Sequence, residues 1–336
     1  MGAYLDAKVR SNHVYVFSGG IVVISTISSQ PLGVQNKYAS LEKTGSGVEE
    51  KPIKDSAGPE NSNNDVTISD AGRKALEASR GGQSPSYYEQ FMPTYDGFTA
   101  ANIALGVKEP GRDTFSAGKD FSQVAIDARA SMDNNYERLE SIGKSYPPNN
   151  APAESRNSLL GELDRRALYA VASNQGEMFT KDEQAIARNK MNQQQGLAMG
   201  LYSGPTSEKD QFSDPFVGNM ASKFKAGIEF LDAVGNEEKG TSFEYAHQRA
   251  GVQKAYESAS IKNGEIPEDF MSDSPLIMLL YEAMDAAEKF GSKSITEGQI
   301  LNAEDIRKQS WFSGYENRLD DSINATRELY VPKFTK

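Results

Sequence analysis

Histidine is the side chain that most often exchanges protons near neutral pH, and the sequence has two, His13 and His247. His247 follows Glu244 by three positions, which places both side chains on one face of a helix. This Glu-x-x-His spacing supplies ligands in di-iron helix bundles, but such a site uses the pair twice together with two more glutamates. His13 lies near the N-terminus, outside the helical body, so the second pair is missing. We therefore predict no metal site and interpret His247 as an ordinary helix residue.

Carboxylates are abundant, with 47 Asp and Glu residues. Two of them would suffice for glycoside hydrolysis, which needs acids roughly 5 to 9 Å apart. The sequence does not select a pair. Several acids lie near predicted helix ends, where a negative charge complements the helix dipole; they are Glu162, Asp164, Asp182, Glu183 and Asp232. A carboxylate-type hydrolase or transferase, with its site between helices of the C-terminal region, stays an open alternative.

Cysteine is absent, which excludes disulfides, thiol catalysis, zinc–thiolate sites and iron–sulfur clusters. The segment Gly143-Lys144-Ser145 has the ending of a phosphate-binding loop. However, Arg138 occupies the position of the required first glycine, and the segment follows a predicted helix where that motif follows a strand. We predict no cofactor.

The charge balance is acidic, with 36 Lys and Arg against 47 Asp and Glu, a formal net charge of −11. Phosphate contacts carry most nucleic-acid affinity, and no cluster of four or more basic residues is present. The longest apolar stretch, Val14 to Ile27, is interrupted by polar residues and is too short for a transmembrane helix. We predict neither a nucleic-acid partner nor a membrane span.

The N-terminal region differs in composition from the rest. Two β-branched and aromatic runs within 14–27 are split by Gly19-Gly20 and predict two short strands or a hairpin. Residues 28–66 are rich in Ser, Asn, Gly and Pro and cannot bury enough apolar surface to offset their ordering entropy. We predict that residues 1–66 are disordered or poorly structured.

From there on, a capping residue, an amphipathic run and a glycine alternate repeatedly. These patterns predict helices over about 71–79, 119–142, 155–176, 185–201, 215–235, 241–262, 275–291, 296–314 and 316–329. Thr-x-x-Glu capping boxes occur at Thr180 and Thr241, and Pro215 and Pro275 occupy first-helical-turn positions. The fold class is therefore all-α: a multi-helix, bundle-like body over 115–336, with short helices and an aromatic-rich linker at 67–114.

An aromatic cluster lies in this linker, at Tyr87, Tyr88, Phe91 and Tyr95. One interpretation is a short helix and loop that pack on the body. The other is a docking segment, because aromatic side chains are frequent anchors of protein interfaces.

A second segment carries a family resemblance. Residues 66–79 read Val-Thr-Ile-Ser-Asp-Ala-Gly-Arg-Lys-Ala-Leu-Glu-Ala-Ser. This run resembles a segment of bacterial flagellar anti-sigma factors and is similar to N-terminal segments of other bacterial proteins. The resemblance covers these fourteen residues and implies a bacterial source and an exported or partner-binding tail.

These observations together favour a non-enzymatic protein that binds another protein, located in the bacterial cytoplasm or exported. An amphipathic segment can lie in a partner's groove, and disordered tails can fold on binding. The predicted contact residues are Ile68, Ala71, Ala75 and Leu76 of the short helix and Tyr87, Tyr88, Phe91 and Tyr95 of the aromatic cluster. The oligomeric state does not follow from the sequence.

Overall fold

A computed structural model of the chain describes residues 83–146, 151–290, 296 and 298–331, together with the backbone of two short strands. Val16–Phe17 (β1) and Gly20–Ile21 (β2) pair antiparallel, with Val16 opposite Ile21, inside the segment that the sequence predicts as a hairpin. The predicted disorder of 1–66 and the predicted helix at 71–79 lie outside the described residues.

The other regular elements of the described chain are all helices, which confirms the all-α prediction. They are α1 Pro85–Glu89, α2 Ala101–Lys108, α3 Phe121–Ser141, α4 Ala153–Leu160, α5 Arg165–Ala172, α6 Lys181–Ala198, α7 Met220–Asp232, α8 Asn236–Thr241, α9 Phe243–Lys262, α10 Pro275–Lys289, α11 Ala303–Arg307 and α12 Glu316–Tyr330. Short 3₁₀ helices connect some of them, at Gln175–Glu177, Thr206–Gln211 and Ser310–Phe312.

The buried side chains form two hydrophobic clusters that follow one another along the chain. The first core is built by α1 to α6 and includes Ile103, Val124 and Leu168. The second core is built by α7 and α9 to α12 and includes Ile228 and Leu280. Because amphipathic helices bury one stripe each, each group of helices closes around its own apolar centre.

Helices α5 and α8 connect the two cores through polar contacts. The guanidinium of Arg165 is buried and donates two hydrogen bonds to the carboxylate of Glu238, of 2.9 and 2.7 Å. It also lies over the ring of Phe230, 4.8 Å from the centroid. One helical turn away, the hydroxyls of Tyr169 and Thr241 are 2.6 Å apart. The bidentate pair of Arg165 and Glu238 orients the first core relative to the second.

Local capping signals place several helix starts correctly. The predicted capping box is present: Thr180 Oγ1 accepts from the Glu183 amide, and the Glu183 carboxylate accepts from the Thr180 amide. Ser274 caps α10, with Pro275 at the first helical position. The five residues that follow the proline are mostly buried, as the unbroken apolar run of this helix predicts.

Other predicted helix starts are wrong because nearby side chains form better caps. The helix predicted from Pro215 begins at Met220, where the side chain of Asn219 accepts from the Ser222 amide. Asp214 instead accepts from the Phe216 amide and pairs with Lys223.

Two other predicted helix starts, at Thr241 and Thr296, are also wrong. Thr241 is the last residue of α8, and Ser242 caps the following helix, α9. The helix predicted from Thr296 begins at Ala303, where Asn302 and Asp305 form a capping box.

The helix predicted over 155–176 is two helices. Helix α4 ends at Leu160, and α5 begins at Arg165, where Asp164 accepts from the Ala167 amide at 2.9 Å. Gly161 lies between them, directly against the carbonyl oxygen of Thr99. A distant backbone segment therefore occupies the space at the break, and local periodicity did not signal it.

Candidate functional site

The residues predicted to bind a partner are divided between the core and the region that is not described. Ile68, Ala71, Ala75 and Leu76 lie outside the described residues. Tyr88 and Phe91 are 4% and 1% exposed and belong to the first core. Phe91 packs edge-on against Tyr87, Tyr202 and Phe212, with ring centroids 5.1 to 5.5 Å apart.

The other two aromatic residues, Tyr87 and Tyr95, are half-buried. The hydroxyl of Tyr87 donates to the Gln211 carbonyl at 3.2 Å and accepts from the Ser213 amide at 2.9 Å. This end of the aromatic segment is thereby tied to the chain that follows α6. A partner-binding role for Tyr87 and Tyr95 stays a prediction.

His247 and Glu244 share a face of α9 but bind different groups. His247 Nε2 lies 2.8 Å from Thr296 Oγ1, and burial lowers the pKa of the imidazole to about 4. Glu244 accepts from the side-chain amides of Asn192 and Gln248, and burial raises its pKa. Among the described residues, no group of three or more His, Asp or Glu side chains has the arrangement of a metal site.

An open groove lined by polar and apolar atoms runs along one face of α3. Its volume is about 510 Å³. It is lined by Phe115, Lys119, Asp127, Ala130, Ser131, Asn134, Asn135, Arg138 and Glu162. Most of these lie on α3 at spacings of three and four, and the others come from the loop before α3 and the turn between α4 and α5. We call this feature the α3 groove.

At one end of the α3 groove, Lys119 is held in a closed ion pair. Its ammonium lies 2.7 Å from Asp127 and donates to the Phe115 carbonyl at 2.8 Å. It also lies over the Phe115 ring, 4.6 Å from the centroid. Hydrogen bonds from Lys119 and Gln123 lower the pKa of the Asp127 carboxyl. This carboxylate is charged and fully partnered, so it is unsuited to act as a general acid.

At the other end, Arg138 is held mainly by neutral groups. It donates to Asn135 Oδ1 at 2.9 Å and to the Gly97 carbonyl, and its guanidinium lies 4.1 Å from the Phe98 ring centroid. Its contact with Glu162 is longer, 3.6 Å, and both side chains are more than two-fifths exposed. The guanidinium is thus oriented without depending on its carboxylate partner, so a second anionic group can bind it at small reorganisation cost.

Two exposed isoleucines lie on α3 and at its C-terminal end, outside the groove lining. Ile126 and Ile142 are 51% and 47% exposed. Together with Ala130, Asn134 and Arg138 they form a row of every fourth residue, which is one ridge of a helix surface. The ridge is about 24 Å long at 1.5 Å per residue. Because each step of four residues advances about 40° around a helix, Ile142 points close to the direction of Arg138, whereas Ile126 points about 120° away from it. The Arg138 guanidinium with the exposed Ile142 beside it is suited to contact an amphipathic polypeptide segment.

A buried lysine outside the groove was not singled out by the sequence. Lys190 on α6 is 8% exposed, and its ammonium nitrogen contacts the side-chain oxygens of Asn157 and Gln193, the second at 2.5 Å. Burial and the nearby charge of Arg156 lower its pKa to about 7. Its sequence neighbours give no signal of this, because Asn157 lies on another helix.

Comparison with protein-family models, with curated proteins and with solved structures found no match to the chain. Within the described part of the chain, no helix is both long and apolar enough to cross a membrane. The geometry of the described residues is therefore the basis for a functional proposal.

Proposed function

We propose that this protein is a non-enzymatic interaction protein that binds an amphipathic segment of another protein in the α3 groove. The observation that supports this most is the preorganised Arg138 guanidinium with the exposed Ile142 one helical turn away. Amphipathic segments that dock their apolar side chains into a groove are a common form of peptide recognition.

The expected partner segment carries an acidic side chain between apolar ones. Arg138 offers a fork of donors to a carboxylate, and its present contact with Glu162 is long and exposed. Burial of Ile142 by the partner would remove apolar surface from water, at about 25 cal/mol per Å². The carboxylate would supply orientation, and Ile142 most of the affinity.

The region before residue 83 adds a second contact to this proposal. There, Ile68, Ala71, Ala75 and Leu76 form the predicted amphipathic face, and disordered tails can fold on binding. The resemblance of residues 66–79 supports a bacterial source and export as further parts of the proposal.

The test is selection of peptides from a random display library on the full chain, followed by affinity measurement. We expect enriched peptides with Asp or Glu flanked by apolar residues. Arg138→Glu should weaken their binding roughly tenfold or more, because a charge-assisted contact is replaced by repulsion. A peptide with Lys in place of its acid should regain affinity for that variant.

Arg318→Glu is the matched control. Arg318 lies on α12, outside the lining of the α3 groove, and like Arg138 it is about half exposed and pairs with a glutamate. It makes the same change in charge and should leave peptide affinity nearly unchanged. Selected peptides that bind wild-type protein and the Arg138→Glu variant equally would rule out the α3 groove as the binding site.

The carboxylate-type hydrolase or transferase remains a second candidate because of Glu244. Its buried carboxyl has a raised pKa, as a general acid requires, and it lies between α6 and α9. The test is hydrolysis of chromogenic glycosides and esters by the purified chain. Glu265 is exposed, so Glu265→Gln is the control. Activity that is lost in Glu244→Gln but kept in Glu265→Gln would favour the enzyme over the interaction protein.

A further inference from the structure

Three lysines in the described chain are buried to the same extent, and one of them differs in its partners. Lys190, Lys223 and Lys254 are each 8% exposed. Lys223 is ion-paired with Asp214, and Lys254 with Asp285 and Glu288. Within the described residues, Lys190 has no carboxylate at ion-pair distance. A buried ammonium without a counter-charge is unfavourable, so this side chain is better accommodated as a neutral amine.

The surrounding amides are oriented by bonds of their own. Asn157 Nδ2 donates to the Pro93 carbonyl at 2.8 Å, and Gln193 Nε2 donates to the Ser203 carbonyl at 2.8 Å and to the Phe91 carbonyl at 3.3 Å. Because the amide nitrogens are engaged in this way, the amide oxygens face Lys190. A neutral amine has two N–H donors, which match these two oxygens, and its lone pair is left over.

The positive charge of Arg156 acts on Lys190; this guanidinium donates to the Ala151 carbonyl at 2.7 Å and is half-buried. Its charge helps to lower the pKa of Lys190 to about 7. At pH 7 about half of the Lys190 side chains are then neutral, against roughly one in three thousand for an ordinary lysine. The same guanidinium can attract a carboxylate or phosphate on an incoming molecule.

We propose that Lys190 is a nucleophilic amine that binds a small anionic aldehyde or ketone covalently, with Arg156 attracting the anionic group. The nitrogen lone pair attacks the carbonyl carbon, and the C=O π electrons move to oxygen, which takes up one of the two amine protons. The resulting carbinolamine loses its hydroxyl and the remaining nitrogen proton as one water, which leaves a neutral imine. No oxidant or reductant is needed, and the site is separate from the α3 groove.

The test is reductive trapping on the full wild-type chain with glyoxylate, a small anionic aldehyde, and cyanoborohydride at pH 7, followed by peptide mass mapping. Lys190 should be labelled at least tenfold faster than Lys223 and Lys254, which have equal burial. Equal labelling of the three would overturn the proposal. Because the comparison is internal to one folded protein, no variant has to fold.

Two further readouts test the details of the site. The ratio of labelling at Lys190 to labelling at exposed Lys262 should fall as pH rises from 7 to 10, since the neutral fraction rises far more for the ordinary amine. A constant ratio would contradict the neutral-amine assignment. Glycolaldehyde, the uncharged analogue, should label Lys190 more slowly than glyoxylate, and Arg156→Gln should remove that difference; equal rates in the wild-type protein would overturn the assignment of an anionic ligand.

Discussion

Burial changes the protonation of Lys190 and His247 in the same direction, because both side chains are positively charged when protonated. The pKa falls to about 7 for Lys190 and to about 4 for His247. Glu244 shows the opposite shift because burial disfavours its negative form. In each residue, the position within the packed helices sets the chemistry that the side chain can perform.

The lowered pKa of Lys190 predicts that the free energy of unfolding depends on pH. Lys190→Met should remove this dependence. The pKa is about 7 in the folded chain, against 10.5 for an ordinary lysine of the unfolded chain, so between these values the unfolded chain binds one more proton. Folding stability should therefore rise with pH across this window, by up to about 1.4 kcal/mol per pH unit. Below pH 7 the contribution is constant.

Urea unfolding at pH 7, 8 and 9, followed by circular dichroism, measures this slope. The difference in unfolding free energy between wild-type protein and Lys190→Met should change with pH in favour of the wild type, because other titrations cancel. Lys223→Met serves as the control at equal burial. Parallel pH profiles for wild type and Lys190→Met would show that Lys190 is charged in the folded chain.

At the scale of elements, caps and close backbone contacts decide where helices begin and end. Glu183 illustrates the role of a cap. Burial opposes its negative charge, but hydrogen bonds from Arg129 and from the Thr180 backbone outweigh burial and lower its pKa. The carboxylate thus caps α6 and also contacts α3 through Arg129 and Tyr136, at 2.8 and 3.0 Å. Glu183 therefore completes the cap of α6 and also holds α3 against it.

Gly161, between α4 and α5, illustrates the role of a close backbone contact. A Cβ at this position would lie 1.6 Å from the Thr99 carbonyl oxygen and 2.7 Å from that of Asn157. Gly161→Ala should therefore force backbone movement and destabilise the fold by more than about 2 kcal/mol. Thermal and urea unfolding measure this change.

Gly251→Ala is the matched control, because Gly251 lies inside α9 and a methyl group added to it would meet no atom within 4 Å. This substitution should be neutral or stabilising by up to about 1 kcal/mol, since alanine is the better helix former. If both alanine variants had the same stability, the tight contact at Gly161 would be disproved.

At the scale of the whole molecule, the two cores are joined by the buried pair of Arg165 and Glu238. The side chains come from α5 and α8, and both are nearly inaccessible to solvent. Removal of one partner leaves the other charge buried, which typically costs about 3–5 kcal/mol. Arg165→Met and Glu238→Gln should each destabilise the fold by that amount.

A double-mutant cycle tests the coupling, because the loss in the Arg165→Met, Glu238→Gln double variant should be well below the sum of the single losses. The exposed pair of Arg318 and Glu282 is the control, and its disruption should change stability by at most about 1 kcal/mol. Additive losses at Arg165 and Glu238 would mean that this pair does not couple the cores.

The sequence alone was sufficient for the fold class and for several helix boundaries. The signals at Thr180 and Glu183, and at Ser274 and Pro275, act within one helical turn, so they can be read without tertiary structure. The same locality explains the failures. Asp214 and Thr241 are good capping residues by type, but neighbouring Asn219 and Ser242 cap the helices that form.

The candidate sites were decided by tertiary structure. Arg138 and Glu162 come from α3 and from the turn after α4, and Lys190 meets Asn157 from a different helix. No local pattern encodes that Tyr88 and Phe91 face inward or that one of three buried lysines in the described chain lacks a carboxylate. Capping and periodicity are properties of residues close in sequence, whereas desolvation and ion pairing depend on which distant side chains the packed helices bring together.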